Sequence, residues 1–394
     1  MDYIQINTDN ELQQFCGLLA SEPAIAFDTE FVSEYTYRPQ LCLIQVAAGK
    51  HQAIIDTLSV QDLSPFWDLL ATGDGCTIVH AGREEVGFSL TAIGKVPARL
   101  FDVQIAAGLI GLEYPASYRS LSKKLLDQNP AKEESRTDWR RRPLSQRQLK
   151  YALDDVLHLA NMHQKLIDRL TKLKRMTWLE DEMNRWLEQV CYAYKRLRWR
   201  RVSGIGGLAA RSKAIVRELW FWRESEAEKK NIPVRRVLRD DLIVEIAKRQ
   251  SSDTTRIAAL RGMERNDLQR VLPDLSACVE KALRLDVEEL PTSRRPGNMP
   301  PQINMLGQLI SSALNSACRQ AHLAPSLVGN PSDVRDLIAF RLGCAKDGEQ
   351  TPILTEGWRQ EVIGNLIDDL LSGTLAVRIN DPRSEHPLSL ESID

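Results

Sequence analysis

The sequence lacks the cysteine and histidine patterns that would organise a small domain. Its seven cysteines (Cys16, Cys42, Cys76, Cys191, Cys278, Cys318 and Cys344) are scattered and form no C-x-x-C pair. That excludes a disulfide framework and a zinc-thiolate site, and it suits a reducing compartment. The six histidines do not fall at metal-ligand spacing. No apolar run approaches the roughly 20 residues that span a bilayer, and Met1-Asp2-Tyr3-Ile4 opens no leader segment, so we expect a cytoplasmic protein with no membrane partner. Charge of one sign is missing too: 52 basic residues face 53 acidic ones, for a net charge of −1. Any affinity for nucleic acid must then reside in local basic patches.

What is present is an ordinary globular composition, 43% hydrophobic and 27% charged, over 394 residues. That length exceeds what one core usually serves, so two or three domains are expected. Short apolar segments at Tyr3–Ile6, Ala24–Phe31, Leu41–Ala48, Gln52–Asp56 and Thr77–His80 read as strands, with helices after Thr8, near Leu63–Ala71 and from Arg83. From Asp102 onward the chain reads as helical almost throughout. The fold class is therefore α/β, a mixed sheet with flanking helices, followed by all-α bundles. Joints near 195–207, basic then glycine-rich, and near 291–301, rich in proline, divide the chain into 1–203, 204–290 and 298–380. The two C-terminal pieces share a layout of helix, Pro-containing connector and helix, as a degenerate repeat would.

The chemistry begins at Ile25-Ala26-Phe27-Asp28-Thr29-Glu30-Phe31. On a strand Asp28 and Glu30 share a face while Phe27 and Thr29 take the other. Two carboxylates that close repel unless a cation lies between them, and hard oxygen ligands suit Mg²⁺ or Mn²⁺. A solvated strand edge would show the same letters. Three later segments offer further acids. Glu84 and Glu85 open a helix after His80-Ala81-Gly82, either as ordinary first-turn acids or aimed at the sheet's end. Asp102 most simply caps the next helix. Tyr151 and Asp155, four residues apart, share one helical face, a carboxylate for an ion beside a phenol for a water.

Asp28-x-Glu30, His80 followed by Glu85, and Tyr151-x-x-x-Asp155 together resemble the three exonuclease motifs of the DEDD superfamily in its tyrosine variant. Within it the chain is similar to the ribonuclease D family. The segments Pro39–Gln45, Phe101–Gln104 and Ser135–Trp139 with Arg142-Pro143-Leu144 resemble that family beyond the catalytic letters. Leu219–Arg223 with Asn231-Ile232-Pro233 resembles an HRDC domain, and Gly357-Trp358-Arg359 a diverged second one. The resemblance implies a 3′→5′ exoribonuclease working with two divalent ions, Mg²⁺ or Mn²⁺, about 3.5–4 Å apart. Asp28, Glu30, Glu85 and Asp155 would hold the ions and Tyr151 would position the attacking water. Glu85 departs from the family, which has aspartate there; Glu84 and Asp102 remain alternatives for that role. The implied partner is RNA with a single-stranded 3′ end, tRNA precursors among them, and no obligate protein partner is expected. Arg136, Trp139, Arg140 and Arg142 are candidate RNA contacts; Arg140–Arg142 are equally readable as a solvated helix end and Trp139 as packing. The rival readings are a silent RNA-binding scaffold and a DNA exonuclease.

Overall fold

A computed structural model describes residues 3–129, 137–195, 198–291, 300–344, 351–363, 365–384 and 387–393. The chain forms two compact units. The first comprises residues 1–30, 42–194 and 298–394; the second comprises 31–41 and 195–297.

In the first unit, β1 (Ile4–Ile6), β2 (Ala24–Val32), β3 (Gln40–Ala48), β4 (His51–Asp56), β5 (Cys76–Val79) and β6 (Leu100–Asp102) form one sheet in the order β1-β4-β3-β2-β5-β6. β3 and β4 are antiparallel, whereas β1 pairs with β4, and β5 with β2 and β6, in parallel. β2 therefore runs through the interior of the sheet, buried from Ile25 to Phe27.

The helices follow their sequence signals. α1 (Asp9–Leu19) starts at a Thr8–Glu11 capping box, which satisfies two amides that the first turn would leave unpaired. α2 (Ser64–Thr72) brings Phe66 and Trp67 edge-on to Phe27 of β2, with ring centroids 5.6 and 5.9 Å away. α3 (Arg83–Ile93), α4 (Val103–Gly108), α5 (Tyr118–Leu126), α6 (Gln146–Leu157), α7 (Leu159–Lys172) and α8 (Met176–Lys195) complete the nuclease part. No helix among the described residues is long and apolar enough to cross a membrane.

One apolar cluster unites Ala26, Ile78 and Phe101 of the sheet, Leu159, Met162 and Leu166 of α7, and Ile310, Leu314, Ile338 and Trp358 from after residue 298. The last stretch is therefore packed into the first unit. Two buried cations fasten it. Arg175 donates to the carbonyls of Leu109 and His322 at 2.7 and 2.8 Å. Arg359, 4% exposed, makes a two-pronged pair with Glu182 at 2.6 and 2.9 Å and donates to the carbonyls of Leu327 and Val328. Trp358 Nε1 donates to the same Glu182 at 3.1 Å.

The all-helical expectation for the C-terminal piece needs a correction. β7 (Leu375–Ile379) and β8 (Leu388–Ser392) form an antiparallel hairpin. Gly373, at φ +79°, ends the preceding helix, and the alternating Leu375-Ala376-Val377-Arg378-Ile379 then pairs as a strand.

The second unit has its own core. It is built on α9 (Ala210–Lys230) and the helices Asp240–Arg249 and Leu272–Leu283, through Ile215, Leu219, Ile243, Ile246, Leu275 and Val279. Arg223 is buried at its centre, bonded to the Leu238 carbonyl and to Asp240. Residues 31–41 join this unit, with the Tyr37 hydroxyl donating to Glu224 at 3.0 Å.

The buried Glu182–Arg359 pair yields a stability prediction. Removing either partner leaves a desolvated charge, which costs about 3–5 kcal/mol. Arg359→Met should lower the unfolding free energy from urea titration by that amount, and Glu182→Gln with Arg359→Met together should cost less than the sum of the two singles. Additive losses in denaturant titrations would show that the two side chains are not coupled.

Candidate active site

β2 and α6 supply the centre of the site. Buried Phe27 and Thr29 fix the register of β2, so Asp28 and Glu30 are directed together. α6 begins at Ser145, whose hydroxyl accepts the Gln148 amide while Gln148 reaches back to the Ser145 amide. Leu149, Ala152, Leu153 and Val156 bury one side of α6, and Tyr118 anchors it by donating to the Asp154 carbonyl at 2.6 Å. With that face fixed, Tyr151 and Asp155 fall one turn apart on the side facing β2.

Carboxylate oxygens of Asp28, Glu30 and Asp155 lie within 4.8 Å of one another. Each is only partly exposed. Burial and the neighbouring acids push Glu30 up to about 8. Burial, then Glu85, then Asp155 and Glu30, hold Asp28 well above the usual carboxylate range. Burial and Asp155 likewise raise Tyr151, whose hydroxyl hydrogen-bonds to Asp155 and therefore stays protonated. Three crowded oxygen donors, costly to ionise together, fit a hard divalent cation.

The second motif stands on a tight turn. Ala81 takes a left-handed φ of +55°, and a Cβ on Gly82 would come within 2.3 Å of Val79. Asp102 holds this turn: its carboxylate accepts the Ala81 and Gly82 amides at 3.1 and 3.0 Å while also capping α4 through Gln104 at 2.8 Å. His80 donates from Nε2 to the Ala116 carbonyl at 2.9 Å. α3 then starts with Glu85 in its first turn, 5% exposed, its Oε1 accepting the Thr29 hydroxyl at 2.6 Å. Burial raises Glu85 to about 7, with the Thr29 bond pulling the other way. Glu85 does not share the three-acid cluster, yet it is the acid that most raises Asp28. Asp102 is thus occupied as a turn organiser, and α3 delivers Glu85 beside Asp28.

The candidate RNA contacts fare differently. Arg136 lies outside the described residues. Trp139 is 2% exposed, its ring tilted 6.2 Å from Tyr151, and a ring so enclosed cannot stack on a base. It is a packing residue. Arg142 donates to Asp56, to the Trp139 and Arg141 carbonyls at 2.8 and 2.9 Å, and to the Cys42 carbonyl at 3.0 Å, so its fork fastens this loop to β3 and β4. Against the upward push of partial burial, Arg142 holds Asp56 below the usual carboxylate range. Arg140 pairs with Asp138 through two bonds of 2.9 and 3.0 Å. Arg141 lies 4.0 Å from Asp138 and is 85% exposed, the most exposed of Arg140, Arg141 and Arg142. Sequence reasoning assigned no role to Thr29; a hydroxyl between two site acids was its only signal.

Comparison with known proteins places these features. Residues 3–171 match the 3′-5′ exonuclease domain family, and residues 212–279 match the HRDC domain. A ribonuclease D of Granulibacter bethesdensis is 32% identical over 95% of this chain and 94% of its own. One from Nitrobacter hamburgensis is 31% identical over 96% and 97%. The crystal structure of Escherichia coli RNase D, an exoribonuclease involved in structured RNA processing, superposes with a TM-score of 0.81 at 28% identity, covering 95% of this chain and 99% of that one. Fold and acids together define a metal-dependent 3′→5′ exonuclease of the DEDD class with an HRDC domain. Within that class, the chain belongs to the ribonuclease D family.

The raised carboxyls carry a pH prediction. Glu30 and Glu85 titrate in the fold at about 8 and 7 against an ordinary 4.5, so folding is favoured while they keep their protons. That contribution is complete below the ordinary value and is lost as pH rises through 7 to 8. The ion-free chain should therefore lose melting temperature between about pH 4.5 and about pH 8, Mg²⁺ should restore it at the alkaline end, and Glu30→Gln should flatten the slope. A pH-independent melting curve in the ion-free chain would contradict this electrostatic picture.

Proposed function

We propose that the chain hydrolyses RNA from single-stranded 3′ ends, one nucleotide at a time, with tRNA precursors among its substrates. The observation that carries the reading is the convergence of Asp28, Glu30 and Asp155 within 4.8 Å, with the Tyr151 hydroxyl bonded to Asp155. The donors are all carboxylate oxygens, which fits Mg²⁺ or Mn²⁺ and disfavours softer metals. Asp28, Glu30 and Asp155 would hold one ion, and Asp28 with Glu85 a second. Bound there, the pair of ions would neutralise charge that builds on the attacking and leaving oxygens of the phosphodiester.

The chain's own groups do the rest. Tyr151 stays protonated with its hydrogen on the carboxylate of Asp155, so it can orient the attacking water by accepting a hydrogen bond from it, without acting as a base. Trp139 packs beside Tyr151 and limits its rotation. Arg142, bonded to Asp56 and the Cys42 carbonyl, holds the loop before α6 in place. Exposed Arg141 is our candidate to meet phosphates of the incoming strand, and Arg136 is a further candidate from the sequence. We read 1–203 as the exonuclease domain, 204–290 as an HRDC domain and 298–380 as an HRDC-like module docked on the nuclease core, all in a cytoplasmic enzyme.

With Mg²⁺ or Mn²⁺ the purified chain should shorten a 3′-overhanging RNA from its 3′ end and leave a DNA strand of equal length largely intact. Asp28→Ala and Asp155→Asn should reduce this to background, and Tyr151→Phe should lower kcat by about 10²-fold or more with little change in KM. Product ladders on sequencing gels decide the matter. An intact RNA with either ion sinks the enzyme reading, and equal decay of both strands sinks the choice of RNA.

A further inference from the structure

Thr29 stands between two site acids in sequence, and alternation along β2 sends its side chain away from them. It is nevertheless bound to the site. Thr29 is 5% exposed and its hydroxyl donates to Glu85 Oε1 at 2.6 Å across 56 residues of sequence. Glu85 comes from a helix whose start is held separately by Asp102 through the Ala81 and Gly82 amides. The backbone that launches Glu85 is thereby fixed, but its side chain still has three rotatable bonds, one more than aspartate. Beside a bond from its own backbone amide, the Thr29 hydroxyl is the side-chain contact that selects among those rotamers. It occupies one carboxylate oxygen and leaves the other without a hydrogen bond from Thr29.

We propose that Thr29 is a positioning residue for the second ion, fixing the Glu85 carboxylate that would share that ion with Asp28. The inference rests on the two-ion reading above. Its physical basis is the general behaviour of outer partners of metal ligands. A hydrogen bond to the second oxygen of a ligating carboxylate sets its orientation, and losing such a bond changes metal affinity about 10–100-fold. The Thr29 bond also explains how a longer acid serves where the family has a shorter one: the added methylene brings freedom, and the hydroxyl removes it. The first ion, held by Asp28, Glu30 and Asp155, does not depend on this bond, because its donors already lie within 4.8 Å of one another.

The test is a Mn²⁺ titration of the full chain in saturating adenosine 5′-monophosphate, with bound and free ion counted by electron paramagnetic resonance. The wild type should take up two ions. Thr29→Val, which keeps the shape and strand preference of threonine, should retain the affinity of the first ion and weaken the second about 10–100-fold, and Thr29→Ser should restore it. In a Glu85→Asp background, whose carboxylate stops a methylene short of the hydroxyl, Thr29→Val should add nothing. The Mg²⁺ concentration for half-maximal RNA degradation should rise in parallel. Two ions of unchanged affinity in Thr29→Val overturn the proposal, as does a tighter second ion or equal weakening of both. A single ion in the wild type instead overturns the two-ion reading itself. Melting curves check each variant, and Thr29→Ala replaces Thr29→Val should the latter not fold.

Discussion

Asp28, Glu30 and Asp155 repel one another, and the fold around them is what keeps them together. Three carboxylate oxygens within 4.8 Å, each partly withdrawn from water, form an arrangement that a flexible chain would relax by moving apart. It persists because neither support can yield. β2 lies inside the sheet with Phe27 wedged against Phe66 and Trp67, and α6 is capped at Ser145 and pinned at Asp154. The strain is expressed as protonation: Glu30 near 8 and Asp28 well above its ordinary range are how a protein without ions lowers that repulsion. Divalent ions do the same job without protons, so the site is built to be completed by its cofactor.

The same logic explains the residues that stand behind the acids. Glu85, the backbone that launches it, and Asp155 are each held by a neighbouring side chain. Asp102 closes the turn before α3, Thr29 holds Glu85, and Tyr151 bonds Asp155. Arg142 ties the loop ahead of α6 to Asp56, so a cation that reads as a phosphate contact serves as a brace. Precision of this kind needs a stiff surround. The packing of Ile310, Leu314 and Trp358 into the nuclease core, locked by Glu182 and Arg359, extends that stiffness to the last third of the chain.

Much of this was legible in the sequence because it obeys short periods. The alternation of Asp28 and Glu30 and the four-residue step from Tyr151 to Asp155 are local geometry, fixed once strand and helix are read. Strands β1 to β5, the α1 capping box and the Ser145 start of α6 follow from signals within a few residues. What stayed hidden depends on partners far away in the chain. Arg142 meets Asp56 across 86 residues and Glu85 meets Thr29 across 56, and no local pattern announces either. Trp139 sits in a run of arginines and invites a stacking role; only the three-dimensional packing that buries it to 2% removes that reading. The hairpin of β7 and β8 escaped for another reason: two five-residue strands are too short for a period to stand out from a helical background.

A nuclease of this kind must also solve an electrostatic conflict. Gathering four acids at the point of cleavage repels the phosphate backbone that has to reach it, and a net charge of −1 offers no overall attraction to offset this. Arg140, Arg141 and Arg142 all face an acid, Asp138 or Asp56, so the loop contributes less positive field than its sequence suggests. Two divalent ions would cancel the charge of the four carboxylates, so their binding would remove the repulsion that the bare site exerts on a phosphate. Recruitment of the strand and assembly of the reaction centre would thereby be one event: an ion-free site repels the phosphate, and a loaded one would admit it.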